Sequence, residues 1–85
     1  MMNANLLVAQ NLRRLRIKVG LSQEALAHDA GIDRTYVSRI ERNLENITVA
    51  VLERLAAAIG CQIADFFAPI EGKEPPPLKV GRKPK

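Results

Sequence analysis

The sequence predicts an all-α fold, a compact bundle of five short helices, and three observations support this fold class. Apolar residues recur at helical spacings of three and four along most of the chain. Residues suited to helix N-caps and glycines suited to helix ends separate the periodic segments. Aromatic residues make up only 4% of the chain, so the core consists of Leu, Ile, Val and Ala, which favours small, closely packed helices.

The first two predicted helices are defined by apolar spacing and by their ends. The segment 7–19 has apolar residues at positions 8, 12, 15 and 19, which form one face of helix 1. Gly20 is a suitable end for this helix. Ser22 is a suitable N-cap for helix 2, which is predicted to run over about 23–30.

Two further helices and a final turn complete the predicted bundle. Gly31 can take a positive φ at low cost, and Asp33 can cap a third helix that continues through about Glu41. Thr48 can cap a fourth helix that ends at Gly60. Its predicted inward side consists of Val49, Leu52, Leu55, Ala56 and Ile59. The stretch "QIADFF" then predicts one or two further helical turns.

Length and charge divide the chain into two parts. At 85 residues it has room for one small domain, with little area left to enclose a deep substrate pocket. We assign this domain to 1–68 and a Pro-rich basic tail, expected to be extended or disordered, to 69–85. The net charge is +4, but residues 1–70 carry eight Lys or Arg against seven acids, and 71–85 carry five against two.

Several functional classes have no support in the sequence. A single cysteine excludes an internal disulfide, and without a Cys or His cluster it cannot form a structural zinc site. There is no nucleophile–base pair, metal cluster or phosphate loop, so we predict no enzyme activity and no cofactor. The N-terminus lacks a signal-cleavage signature, and no stretch approaches the roughly 20 apolar residues that span a bilayer. We therefore expect a cytoplasmic protein with no membrane contact.

Residues 23–42, "QEALAHDAGIDRTYVSRIER", have the pattern of two helices joined by a tight turn. Ala27 is small where the helices approach most closely, and Gly31 lies at the turn. The side chains predicted to be buried between the helices are Leu26, Ala30, Ile32, Val37 and Ile40. Such a helix-turn-helix can place its second helix in the major groove of double-stranded DNA, with its N-terminal residues facing base edges.

The stretch "LRIKVGLSQEALAHDAGIDRTYVSRIERN" resembles the Cro and phage-repressor (Xre) type of helix-turn-helix regulator. Within that group, "DRTYVSRIERN" followed by "ENIT" resembles the controller proteins of restriction-modification systems. The resemblance covers about residues 6–67 and implies a lambda-repressor-like, five-helix domain. It also implies a homodimer that binds a palindromic operator and regulates transcription, often of its own gene. The sequence departs from the family at Asn43, where most members have Gly, and at Ile47, where many have Pro.

Helical geometry places residues 34, 35 and 38 on the early, outward face of helix 3. Arg34 is the main base-reading candidate because its guanidinium can bond the O6 and N7 atoms of guanine, although it can also be a solvated charge. Thr35 can meet a thymine methyl group or a phosphate. Arg39 occupies a position that reaches the groove in the resembling family and can contact a base or a phosphate. Ser38 can touch DNA, although an exposed serine needs no function.

A second set of polar residues is predicted to contact the DNA backbone. Gln23 opens helix 2, where free N–H groups and the helix dipole favour a phosphate, and the resembling family uses a Gln there. Tyr36 can reach a phosphate or pack on a neighbouring helix. The loop after helix 3 should run beside the sugar-phosphate chain, and it carries Arg42, Asn43 and Asn46.

The remaining assignments concern architecture and assembly. The resemblance implies an ion pair between Arg16, late in helix 1, and Glu41, at the end of helix 3, although Arg16 can also share its guanidinium with a phosphate. The terminal helix of so small a domain can bury one phenylalanine ring but hardly two. We therefore assign Ile63, Phe66 and Phe67 to the region of a dimer interface, where one of the two rings is expected to be buried and the other to join the interface with Ile63 and part of helix 4.

Taken with the resemblance, these features predict a homodimeric, sequence-specific DNA-binding transcriptional regulator. The alternative is an antitoxin or adaptor whose main task is to hold a partner protein, with the tail folding on that partner. Gene context or a pull-down separates the two hypotheses, since an adjacent toxin and an adjacent restriction enzyme point in opposite directions.

Overall fold

The computed structural model describes residues 3–70, which form four α-helices and a short 3₁₀ helix. In chain order these are α1 (Ala4–Lys18), α2 (Gln23–Ala30), α3 (Arg34–Glu41), α4 (Val49–Ile59) and the 3₁₀ helix (Ile63–Phe67). No strand occurs within this part of the chain, and the predicted all-α class is confirmed.

The fifth element is a 3₁₀ helix and not the fifth helix of a regular bundle. Gln62 and Asp65 form a capping box at its start, in which the Asp65 carboxylate accepts the backbone N–H of Gln62 at 2.9 Å. Ala68 follows it with extended backbone angles, φ −64° and ψ 142°. Because Ala68 precedes Pro69, the α conformation is disfavoured there, and the element ends after five residues.

The helix starts follow from side-chain caps. The predicted caps Ser22, Asp33 and Thr48 each accept a first-turn backbone N–H, at 2.9, 3.0 and 3.1 Å. The first helix begins earlier than the apolar pattern predicted, because Asn3 also acts as an N-cap and accepts the backbone N–H of Leu6 at 2.8 Å. Local capping chemistry therefore sets where each helix begins.

The core lies where the four α-helices and the 3₁₀ helix meet. Its buried apolar residues are Val8, Ala9, Leu12, Leu26, Ala27, Ala30, Val37, Ile40, Leu52, Leu55, Ala56, Ile59 and Phe66. Two positions expected to face inward, Val19 and Val49, are exposed instead. Val19 follows the last residue of α1 and Val49 is the first residue of α4, so both lie at helix ends where the neighbouring helices no longer cover them.

Asn11 is a fully buried polar residue of α1 that the apolar pattern did not single out. Its Nδ2 atom donates to the backbone carbonyl oxygens of Phe66 and Ala68, both at 2.9 Å. Its Oδ1 atom accepts from Nη2 of Arg14 at 2.9 Å. The amide is therefore fully hydrogen-bonded, and it fastens the 3₁₀ helix and the residues after it to α1.

From position 71 onward, the predicted tail lies outside the described residues. Within residues 3–70, no helix has the length and apolar character needed to cross a membrane. In the same segment, no three His, Cys, Asp or Glu side chains are grouped so as to hold a metal ion.

Candidate nucleic-acid interface

The turn between α2 and α3 is held in place by backbone and side-chain contacts. Gly31 adopts φ +73°, in the left-handed region, and ends α2. The backbone N–H of Ile32 then donates to the carbonyl oxygen of Ala27 at 3.0 Å. The carbonyl oxygen of Gly31 accepts from Nη1 of Arg54, a residue of α4, at 3.2 Å. The angle between α2 and α3 is thus supported from a third helix.

α3 has one side in the core and one side in solvent. Val37 and Ile40 are buried, whereas Arg34 and Thr35, in its first turn, are exposed. Ser38, one turn further along, is half-buried. The two main base-reading candidates of the sequence analysis therefore lie together at the exposed N-terminal end of this helix.

Arg16 and Glu41 form a two-bond ion pair that fastens the end of α3 to α1. Nε donates to Oε2 at 2.7 Å and Nη2 donates to Oε1 at 3.0 Å. The side chains retain only 12% and 3% of their exposure. The third guanidinium nitrogen, Nη1, donates to the carbonyl oxygen of Leu21 at 2.9 Å, so every nitrogen of the guanidinium has a protein partner.

Gln23 belongs to the same network. Its Nε2 atom donates to Oε1 of Glu41 at 3.1 Å, which places the Gln23 side chain between the start of α2 and the end of α3. Glu41 thus binds side chains from two other helices. Gln23, which is predicted to contact the DNA backbone, is therefore held in position by Glu41, which is predicted to have a structural role.

Arg39 is joined to Glu45, a residue that the sequence analysis did not single out. Nε of Arg39 donates to Oε2 of Glu45 at 2.6 Å, and Nη2 donates to the carbonyl oxygen of Leu44 at 3.2 Å. The two side chains are 44% and 31% exposed. The predicted groove-contacting side chain is therefore bent toward the loop that follows α3.

The other predicted backbone contacts lie on this loop or beside it. Arg42 and Asn43 are exposed, and Asn43 adopts φ +62°, so this residue forms a left-handed turn without glycine. Asn46 is exposed, and its Oδ1 atom accepts from Nδ2 of Asn5 in α1 at 2.7 Å. Tyr36 is half-buried and packs against the core.

The predicted dimer residues differ sharply in exposure. Phe66 is 0% exposed, so it is the buried one of the two rings and its place among the interface residues is corrected: the 3₁₀ helix, which packs on α1 and α4, buries this ring in the core of its own domain. Phe67 is 42% exposed. Ile63 is half-buried against the core. One ring of the two is thus buried and the other lies at the surface.

Cys61 is half-buried and packs against the core. Burial raises the pKa of its thiol, and the nearby Asp65 carboxylate raises it further, while Arg14 acts in the opposite direction. The thiol is therefore less readily ionised than a free cysteine, which fits the role of a small apolar filler.

The chain is similar in sequence to known proteins. The family model described as helix-turn-helix matches residues 12–66. A hypothetical transcription factor of Neisseria meningitidis serogroup B is 44% identical over 62 residues, which cover 73% of this chain and 58% of that protein. The control protein C.BamHI of Bacillus amyloliquefaciens is 39% identical over 66 residues, covering 76% of this chain and 82% of that one.

A solved structure of a restriction-modification controller protein is also similar to this chain. The restriction-modification controller protein C.Esp1396I has been solved as a tetramer in complex with its natural 35 base-pair operator. This chain matches it with a TM-score of 0.71 and 33% identity, covering 79% of this chain and 88% of that one.

Proposed function

Because the chain belongs to the helix-turn-helix family and is similar to restriction-modification controller proteins, we propose that it is a sequence-specific DNA-binding transcriptional regulator. The observation that carries this proposal is the arrangement of α3. This helix buries Val37 and Ile40 and leaves Arg34 and Thr35 exposed at its N-terminal end. A helix so presented fits the major groove of B-DNA, which is about 12 Å wide.

Base recognition is assigned to the first turn of α3. Arg34 offers parallel N–H donors that match the O6 and N7 acceptors of guanine, and Thr35 offers a methyl group and a hydroxyl to a thymine or a phosphate. The Arg16–Glu41 pair supports this role indirectly, because it holds the far end of the same helix against α1. A helix fixed at its far end keeps its reading residues in register with the base pairs.

Contacts with the DNA backbone are assigned to the start of α2 and to the loop that follows α3. Gln23 lies in the first turn of α2, beside free backbone N–H groups. Arg42, Asn43 and Asn46 are exposed on the loop that leaves α3. Tyr36 and Ser38 are half-buried, which leaves them a smaller share of any contact with DNA. Phosphate contacts at both ends would set the orientation of α3 without reading sequence.

The interface of a homodimer is assigned to the surface around the 3₁₀ helix. Phe67 is 42% exposed there, and Ile63 lies beside it in the same short element. A two-fold dimer through this surface would present two copies of α3, so the bound operator would be a palindrome with half-sites about one helical turn of DNA apart. We place the end of the domain at Ala68, whose carbonyl oxygen accepts from the buried Asn11 amide.

Selection of bound duplexes from a random DNA pool with the full chain tests the proposal. The expected result is an enriched palindrome whose affinity falls steeply with salt, because lysines and arginines displace counterions from DNA. Phe67→Ser is expected to weaken self-association in sedimentation experiments and to lower the affinity for the full operator more than for one half-site. A pool without any enriched sequence would contradict the proposed function.

A further inference from the structure

The contact between Arg39 and Glu45 has a geometry that bears on how DNA is read. We infer that Glu45 is a positioning residue: it fixes which edge of the Arg39 guanidinium points away from the protein and thereby sets the specificity for one base pair. This inference rests on the proposed function and deepens it, because it adds a specificity-determining residue to the surface of α3.

The guanidinium group is a planar fork with two usable edges. The edge formed by Nε and Nη2 is occupied by the protein, through Oε2 of Glu45 at 2.6 Å and the carbonyl oxygen of Leu44 at 3.2 Å. Nη1 makes no hydrogen bond within residues 3–70. The edge formed by Nη1 and the outer hydrogen of Nη2 therefore retains two parallel donors, the pattern that matches guanine O6 and N7.

The backbone that carries Glu45 is itself fixed to the end of α3. The backbone N–H of Leu44 donates to the carbonyl oxygen of Arg39 at 2.9 Å, and that of Asn43 donates to Ile40 at 3.0 Å. Main-chain and side-chain bonds thus connect the same two segments. A guanidinium held in this way is biased toward one direction of contact before DNA arrives.

The position of Arg39 on the helix suits a reading role. It follows Thr35 by four residues, so the two side chains leave the same face of α3. Four residues of helix advance by about 6 Å, which is about two base-pair steps of B-DNA. Arg39 would therefore read a base pair close to the one met by Thr35.

The charge of Glu45 gives the inference a signature that a merely structural residue lacks. A carboxylate beside Arg39 offsets part of its positive charge and weakens its attraction to phosphates of any sequence. Removal of Glu45 is therefore expected to increase binding to random DNA while decreasing discrimination between operators. Loss of a purely structural contact would weaken both kinds of binding.

The test compares the full-length wild type with Glu45→Ala, Arg39→Ala and the double variant on operators changed one symmetric base pair at a time. Arg39→Ala should lower the preference at one base pair by about tenfold. Glu45→Ala should lower the preference at that same pair and bind random duplex more tightly, and the double variant should match Arg39→Ala in base preference. Glu53→Ala removes an exposed carboxylate from α4 and controls for net charge.

Replacement of the guanine at that base pair by 7-deazaguanine, which lacks the N7 acceptor, should weaken the wild type but not Glu45→Ala. Glu45→Gln keeps an acceptor without the charge, so it should retain the base preference while binding random DNA more tightly. Unchanged preference in Glu45→Ala, or loss at a different base pair, would overturn the inference while leaving the proposed function intact. If the wild type selects no sequence at all, both the function and the inference fail.

Discussion

Two arginine–carboxylate pairs connect α3 to the rest of the domain, and they differ in burial. Arg16 and Glu41 keep 12% and 3% of their side-chain exposure, whereas Arg39 and Glu45 keep 44% and 31%. Water can replace the partner of an exposed ion, but it cannot reach a buried one without rearrangement. We therefore expect the first pair to stabilise the fold, and the second to serve the recognition role proposed above.

The two pairs also connect segments at different distances along the chain. Arg16 and Glu41 lie 25 residues apart and join α1 to α3, whereas Arg39 and Glu45 lie six residues apart and close the loop after α3. A change in the first pair shifts a helix, and a change in the second shifts only a side chain. Stability and base preference should therefore separate cleanly between them.

The largest expected effect is the loss of stability in Glu41→Ala. This change leaves the Arg16 guanidinium mostly buried without its carboxylate and removes the acceptor of Gln23, so unfolding should become easier by about 3 kcal/mol. DNA binding should weaken only because α3 is displaced. Urea and thermal unfolding measure the effect, with the exposed Glu53→Ala as the control. A melting temperature equal to that of the control would show that burial does not distinguish the pairs.

Loss of a buried neutral side chain should reduce the stability less than loss of the buried Glu41 carboxylate does. Asn11→Ala removes the two hydrogen bonds to the 3₁₀ segment and leaves the carbonyl of Phe66 buried without that donor, so we expect a loss of about 2 kcal/mol. Amide exchange in the 3₁₀ helix should accelerate more than in α3. The matched control is Asn5→Ala, which removes an exposed hydrogen bond to Asn46. Equal losses in both variants would rule out burial as the cause.

The sequence was sufficient to predict features that depend on neighbouring residues. The caps at Ser22, Asp33 and Thr48 and the left-handed turn at Gly31 involve groups within a few positions of each other, so their residue types are readable directly. The bounds of α2 could be predicted for the same reason. The sequence could not predict that the fifth element is a 3₁₀ helix. An element of only five residues is too short for its apolar spacing to distinguish a 3₁₀ helix from an α-helix.

Contacts between segments that are distant in the sequence, or that involve an irregular loop, could not be predicted from the sequence. An asparagine within an amphipathic helix is usually solvated, and the burial of Asn11 depends on carbonyl groups 55 and 57 residues away. The contact between Glu45 and Arg39 depends on a loop whose path is set by the positive φ of Asn43. The periodic pattern also could not distinguish which of two adjacent phenylalanines is buried.

Arg34→Ala tests base recognition by α3 without removing a residue of either ion pair. The side chain is exposed, so the melting temperature should stay close to that of the wild type, with a change in unfolding free energy within about 0.5 kcal/mol. Binding should lose about 1–3 kcal/mol per half-site, with loss of discrimination at one symmetric base pair. Arg13→Ala, an exposed arginine of α1, is the charge-matched control. Equal losses on every operator variant would assign Arg34 to phosphate contact.

The smallest expected effect is the change in stability of Glu45→Ala, and it gives the sharpest comparison with Glu41→Ala. An ion pair this exposed contributes about 0.5 kcal/mol, since water solvates Arg39 once its partner is gone. That contribution should fade between 0.1 and 1 M salt, where the Debye length falls from about 10 to 3 Å. The penalty of Glu41→Ala should persist at both salt concentrations, because bulk ions screen a buried charge poorly. Urea unfolding of both variants at the two salt concentrations gives the answer. If Glu45→Ala is as costly as Glu41→Ala and equally insensitive to salt, the Arg39–Glu45 pair is architectural too, and Arg39 is not held there for DNA.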